Sequence, residues 1–335
     1  MRIAINGYGR IGRCVVRALY ETGRSEQISI VGINDLSDIH SIAHLTQFDS
    51  THGKFFKEVA HDGHHLLIGD DAIRVLNIAD PRLLPWRELD VDVVLECTGS
   101  YNEREIAEQH LNSGAKRFIF SCPAQSDVDA TIVYGLNHET LNGEHRIISN
   151  ASCTTNCISH VIKILHQQFG IINGVITTVH SMMNDQPVID AYHNPDLRKS
   201  RSSANSIIPV NTQLSRGIDR MFPELAGRFK AMALRVPVMN VSTMQLTASL
   251  QKKADASIIN GLFKSAAENE LQGILGYTEL PLVSCDFNHN PNSAVFDGGH
   301  TMVSGENLAS VMTWFDNEWG YANRMLDTAW QLFHA

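Results

Sequence analysis

Apolar positions in the first half of the chain come as short runs separated by stretches of helical spacing. Arg2–Asn6 reads as a strand, and Ile11, Val15, Leu19 and Tyr20 then share one face of a helix running to about Gly23. Ile28–Asn34 is a second strand. Val91–Glu96, Arg117–Ser121, Thr131–Val133 and Ile147-Ile148 read as further strands, with helical stretches such as Glu103–Ser113 between some of them. Buried apolar strands alternating with helices predict a parallel, doubly wound α/β sheet. The pattern changes after Cys153. Ile158, Val161, Ile162 and Leu165 predict a helix, and longer β-type runs follow at Gly174–His180, Phe229–Pro237, Ser242–Leu250, Leu282–Ser284 and Val311–Trp314. Alternation through Thr243-Met244-Gln245-Leu246-Thr247 predicts a sheet with one solvated face, hence a mixed or antiparallel sheet in a second, α+β region. A last helix is expected at about Tyr321–Leu332. Met182–Asn205 is a long irregular stretch, and loops of that length are usually functional.

Length turns this pattern into two domains, because 335 residues exceed what one hydrophobic core commonly serves. They are expected at 1–150 and 151–315, with a C-terminal helix, about 316–335, packing back on the first. A composition 43% hydrophobic and 19% charged is that of a soluble globular protein. The net charge of −9, without any Lys/Arg block, argues against nucleic acid or an anionic membrane as partner. No apolar run approaches the ~20 residues that span a bilayer. The chain opens on a strand, so no secretory leader is expected. Six scattered cysteines form no CxxC pair and no disulfide framework, which fits a reducing cytoplasm. The sixteen histidines show no zinc spacing with them, so no metal is expected.

Two stretches carry chemistry. Gly7-Tyr8-Gly9-Arg10-Ile11-Gly12 lies between a strand and a helix, and Asp35 ends the next strand. This is the Rossmann dinucleotide fingerprint in its required context: Gly7 permits the turn, Gly9 lets backbone approach a pyrophosphate, and Gly12 lets the helix pack on the sheet. Asp35 would accept hydrogen bonds from the adenosine ribose, and no basic residue follows it to hold a 2′-phosphate, so NAD is the expected cofactor. Thr98, Gly99 and Ser121 sit at strand ends, where such sheets bind ligands. The second stretch is Ser149–Cys157. Ser152 is a candidate N-cap, which puts Cys153 at a helix N-terminus, where thiolate is favoured over thiol. His180 ends the following strand and is the candidate base. Arg235 and the Arg198/Lys199/Arg201 cluster are candidates for an anionic substrate end. A thiolate beside a nicotinamide suggests aldehyde oxidation through a hemithioacetal and a thioester. Cys14, Cys97, Cys122 and Cys157 read as packing residues.

Ala4–Arg13, Ser149–Cys157, Ile207-Ile208-Pro209, Leu234–Pro237 and Trp314–Tyr321 together resemble the phosphorylating glyceraldehyde-3-phosphate dehydrogenase superfamily, nearly end to end. The resemblance implies Cys153 as nucleophile and His180 as its activator. It implies NAD contacts at Arg10, Ile11, Asp35 and Asn317, and substrate contacts at Ser152, Thr154, Thr212 and Arg235. It also implies a homotetramer in which the Met182–Asn205 loop lies near a neighbour's cofactor site.

The chain departs from that pattern at Met183, where threonine is usual, and at Thr212-Gln213-Leu214-Ser215, where the usual run is Thr-Gly-Ala-Ala. In the superfamily it resembles, those positions help bind the substrate phosphate and the attacking phosphate. Together with Ser181-Met182, Val188–His193, Asp286–His289 and Asn323–Thr328, the departures resemble the sister family of erythrose-4-phosphate dehydrogenases. That resemblance implies a longer aldose phosphate as substrate, release of the thioester to water and a product feeding pyridoxal 5′-phosphate synthesis. Lys199 stands where that family has arginine. A one-residue shift in the Tyr192–Pro195 turn would let Arg198 serve instead. The rival readings are phosphorylating oxidation of glyceraldehyde 3-phosphate and, from another class, a catalytically silent NAD-sensing protein.

Overall fold

The computed structural model describes residues 1–192 and 196–335. The described residues form two compact units, 1–152 with 321–335, and 153–320.

The first unit holds β1 (Arg2–Asn6), α1 (Arg10–Glu21), β2 (Ser29–Asn34), α2 (Ile39–Gln47), the hairpin β3 (Phe48–Asp49) and β4 (Gly53–Lys54), then β5 (Val59–His61), β6 (His65–Ile68) and β7 (Asp71–Leu76). β8 (Val93–Glu96), α3 (Arg104–Asn112), β9 (Arg117–Phe120), β10 (Ala130–Thr131) and β11 (Ile147–Ser149) complete it. One sheet runs β10-β11-β9-β8-β1-β2-β7-β6-β5. It is parallel from β10 to β7 and antiparallel across β7-β6-β5. Ile3, Ile5, Val93, Leu95, Phe118 and Phe120 are fully buried, as strands covered on both faces require. That burial is why their apolar runs were legible. The antiparallel edge was not foreseen, because β5 and β6 are short, carry His61 and His65, and lie half-exposed.

The second unit holds α4 (Cys153–Phe169), β12 (Ile171–Ser181), β13 (Ile208–Val210), α5 (Leu214–Met221), β14 (Phe229–Val236), β15 (Ser242–Leu250), α6 (Ala256–Glu268), β16 (Leu275–Thr278), β17 (Ala294–Asp297), β18 (Met302–Ser304) and β19 (Leu308–Phe315). Its mixed sheet runs β13-β14-β12-β15-β19-β17-β16, with β18 paired to β19. Burial alternates along β15 and β19, the signature of one covered and one solvated face. The predicted strand at Leu282–Ser284 does not form. Val283 instead donates its N–H to Asp286 Oδ2 at 2.8 Å and leads into a tight turn, Ser284–Phe287. Pro281 precedes this short run, and the turn plugs Phe287 into a small core where it stacks on Trp314.

The last helix, α7 (Trp319–His334), begins two residues before the predicted start. Within the first unit it is anchored by Thr328, which donates to Asn150 Oδ1 at 2.7 Å, and by Asp327, which pairs with Arg24 and Arg324 at 2.7 Å each. No helix among the described residues is long and apolar enough to cross a membrane.

Candidate active site

The carboxyl ends of β1, β2 and β8 surround a cleft of about 320 Å³ in the first unit. Gly7, Gly9, Asp35 and Thr98 line it, with an apolar wall of Leu36, Ile78, Pro81 and Leu84 that the sequence reading missed. Gly7 has φ +89°, and a Cβ there would lie 2.4 Å from the Thr98 nitrogen. A Cβ on Gly12 would lie 2.4 Å from the Gly7 carbonyl, so α1 packs on the turn as closely as the fingerprint requires. Around Gly9 no atom lies within 4 Å of the Cβ position, which leaves backbone open on the cleft. Asp35 stands at the rim, accepting from the Tyr8 N–H at 2.6 Å and the Ser37 N–H at 2.8 Å. Partial burial pushes its carboxyl up, and those donors overcome this, so the group stays charged below the usual carboxylate range.

Arg10 opens α1, with its guanidinium forked onto Asp49, and Ile11 follows on the same turn. Gly99 is exposed in the loop after Thr98. Ser121 follows β9 and donates its N–H to the Glu96 carbonyl. Arg10, Ile11, Gly12, Gly99 and Ser121 are not among the residues lining the cleft. The features fit a dinucleotide: an open glycine backbone for a pyrophosphate, a charged acceptor for a ribose, and an apolar slot for a base.

The second cluster lies in the other unit and starts with backbone strain just before it. Ala151, next to β11, has φ +54°, a left-handed conformation unusual for a residue with a Cβ. The bend turns the chain from strand into α4, whose first residue is Cys153. Ser152 immediately precedes the helix, and Thr154 is its second residue, partly exposed. The Cys153 Sγ lies 3.9 Å from His180 Nε2. The His180 Nδ1–H donates to the Ser181 carbonyl at 2.8 Å, so Nε2 is the bare acceptor facing the thiol.

Burial works against the thiolate that the helix terminus favours. Burial pushes the Cys153 thiol up to about 11, and the Thr154 N–H and the Arg235 charge recover only part of this. Burial, then Arg235, hold His180 down at about 4. Both shifts favour a neutral thiol and a neutral imidazole in the resting pair. The helix terminus helps the thiolate but does not outweigh desolvation.

Strand register brings the cation in. His180 on β12 and Arg235 on β14 are direct neighbours in a parallel ladder. Arg235 has only 14% of its side chain exposed, and its Nη1 is buried without a hydrogen-bond partner among the described residues. Its nearest counter-charge is Asp185, at 3.9 Å. Asp185, which the sequence reading did not single out, accepts from the Lys199 ammonium at 2.6 Å. Lys199 therefore reaches this cluster, whereas the Arg198 side chain is exposed and its backbone N–H caps onto Asp196. Residues 193–195, in the turn on which the Arg198 alternative depends, lie outside the described residues. Thr212 accepts the Leu214 N–H at 3.2 Å, and Gln213 is exposed at the start of α5. Asn317 accepts from the Ser181 and Ser242 hydroxyls at 3.0 and 2.9 Å, which fixes its amide orientation and turns Nδ2 the other way.

Residues 1–104 match the family model of the glyceraldehyde 3-phosphate dehydrogenase NAD binding domain, and residues 152–317 match that of the C-terminal domain of the same enzyme. The chain belongs to the glyceraldehyde-3-phosphate dehydrogenase superfamily. NAD is its cofactor, and its activity class is NAD-dependent dehydrogenation. Gly7, Gly9 and Asp35 bring a tight turn, open backbone and a carboxylate to the lining of the cleft.

Proposed function

We propose that this member of the family oxidises D-erythrose 4-phosphate to 4-phosphoerythronate, discharging a Cys153 thioester to water, in the supply of pyridoxal 5′-phosphate. The observation that carries the reading is the anion side of the Cys153 cluster. Met183 presents a thioether, 45% exposed, where a hydroxyl donor is usual. Gln213 sets an exposed side chain where glycine leaves open backbone, and the Lys199 ammonium is already held by Asp185. Arg235 remains as the buried cation for one phosphate, its Nη1 without a hydrogen-bond partner among the described residues.

In this reading the Cys153 sulfur adds to the aldehyde carbon as its proton passes to His180 Nε2, and the carbonyl π pair moves to oxygen, which takes that proton from the imidazolium to become the hemithioacetal hydroxyl. NAD supplies a hydride acceptor for the hydrogen on that carbon. His180 takes the hydroxyl proton as the C–H electron pair departs, leaving the thioester. His180 sheds that proton to solvent, water attacks the thioester with His180 again as base, and the C–S bond breaks as the sulfur takes the proton from the imidazolium to return the thiol. The assembly is proposed to be a cytoplasmic homotetramer, with 182–205 near a neighbour's cofactor site. Phosphorylating oxidation of the triose phosphate is the rival, favoured by the retained hydroxyl of Thr212.

NADH formation with erythrose 4-phosphate and with glyceraldehyde 3-phosphate, each with and without inorganic phosphate, tests the proposal. The four-carbon substrate is expected to win, with no phosphate requirement. Triose preference with strong phosphate stimulation would overturn it, and sizing by light scattering tests the tetramer.

A further inference from the structure

A buried ladder of side chains crosses the carboxyl ends of four neighbouring parallel strands, β7, β2, β1 and β8. At one end Asn34 is paired with Ile78, just after β7. Its Oδ1 accepts the Ile78 N–H at 3.0 Å and its Nδ2 donates to the Ile78 carbonyl at 2.9 Å. The same Nδ2 donates to Asn6 Oδ1 at 2.7 Å. Asn6 Nδ2 donates in turn to Glu96 Oε2 at 2.6 Å. The other Glu96 oxygen accepts the Thr98 N–H at 2.9 Å and the Thr98 hydroxyl, which itself accepts the Ser100 N–H at 3.1 Å. Asn6, Asn34 and Glu96 are 4%, 6% and 1% exposed. Apart from the Asn34 Nδ2 bond to the Ile78 carbonyl, every bond points along its arm toward Glu96.

We propose that Glu96 is a positioning residue for NAD: its carboxylate sets the donor–acceptor polarity of the ladder and so holds the Ile78 and Thr98 segments on either side of the cofactor cleft. Only a carboxylate accepts on both of its oxygens at once. Because Glu96 accepts from Asn6, the Asn6 oxygen faces Asn34. Because Asn6 accepts there, the Asn34 oxygen faces the Ile78 N–H. One charge thus fixes two amide orientations across four strands. Ile78, Thr98 and Ser100 all line the cleft, as do Asn6 and Asn34 themselves. Thr98 also packs against the Cβ-less face of Gly7, so a loosened Thr98 loosens the phosphate turn. Glu96 reaches the cleft through these neighbours and is not itself among the residues lining it.

The test exploits the polarity. Glu96→Gln keeps the shape but places an N–H₂ against the Asn6 N–H₂ or, with its own amide reversed, against the Thr98 N–H. Flipping Asn6 moves the clash to Asn34, and flipping Asn34 moves it to the Ile78 N–H, so one buried donor pair stays opposed wherever the ladder settles. Glu96→Gln combined with Asn6→Asp restores an acceptor in the middle and satisfies every bond again. NAD is titrated calorimetrically into the full-length, nucleotide-free protein, with thermal melts as the folding control. The expected result is a dissociation constant raised about tenfold or more in Glu96→Gln, as for one unsatisfied buried group, and returned to within about threefold of the native value in the double variant. If the single variant does not fold, a folded double variant with native NAD affinity supports the proposal. Native affinity in Glu96→Gln, or a double variant no better than the single one, overturns it.

Discussion

Cys153 and His180 stand 3.9 Å apart with the thiol held up to about 11 and the imidazole down at about 4, shifts that favour a neutral pair in the free protein. The proton moves only as the sulfur attacks. This makes a measurable prediction. Alkylation of Cys153 by iodoacetamide should climb about tenfold per pH unit between pH 7 and 9, following the thiolate fraction. A plateau through neutral pH would show a preformed thiolate–imidazolium pair instead. His180→Asn should cost about 10²- to 10⁴-fold in turnover, the usual worth of a positioned base. The position of Cys153 at a helix start was legible in sequence because a strand end and a helical pattern bracket it. Its protonation state was not, because desolvation depends on side chains brought in by other elements. Asp185 was missed for the same reason: only the folded loop sets it against Lys199 and Arg235.

At the level of elements, the turn between β1 and α1 separates folding from binding. A Cβ at Gly7 would strike the Thr98 backbone at 2.4 Å and add the strain of φ +89°. At Gly9 nothing lies within 4 Å. Gly9→Ala should therefore keep the native melting temperature to within about 1 °C while NAD binding weakens by about tenfold or more, because the new methyl occupies the approach to the pyrophosphate. Gly7→Ala should lose both NAD affinity and about 1–3 kcal/mol of stability. Equal melting and equal NAD titration for Gly9→Ala would remove the turn from the cofactor site. The fingerprint was readable because glycine spacing is local. The ladder from Ile78 to Thr98 was not, because it joins residues far apart in sequence through strand order.

For the whole molecule, each unit carries a histidine buried as the neutral form. His110 is fully buried, its Nδ1 accepts the Trp86 indole N–H at 2.9 Å, and burial holds it at about 4; His180 is held there too. The unfolded chain takes up these protons near 6.5, and the folded chain only near 4. Stability from the neutral forms is thus present above about 6.5 and lost as pH falls toward 4, by at most roughly 3 kcal/mol per histidine. Melting temperature should fall across that window. His110→Gln, which retains an acceptor for Trp86 and does not titrate, should flatten part of the fall. An unchanged slope in that variant would show that His110 is not a source of the acid sensitivity.

Local pattern alone determined a good deal. The two kinds of sheet, the dinucleotide turn with Asp35, and a cysteine at a helix start all follow from spacing within a few residues. The strand expected at Leu282–Ser284 failed because a short apolar run beside a proline says nothing about whether a partner edge is free. Only the tertiary structure decided which distant groups meet. The β12–β14 register sets His180 beside Arg235, and strand order lets Glu96 orient Asn6 and Asn34. Burial then overrode the helix terminus at Cys153, since desolvation is a property of the whole surrounding shell and not of the residues adjacent in the chain.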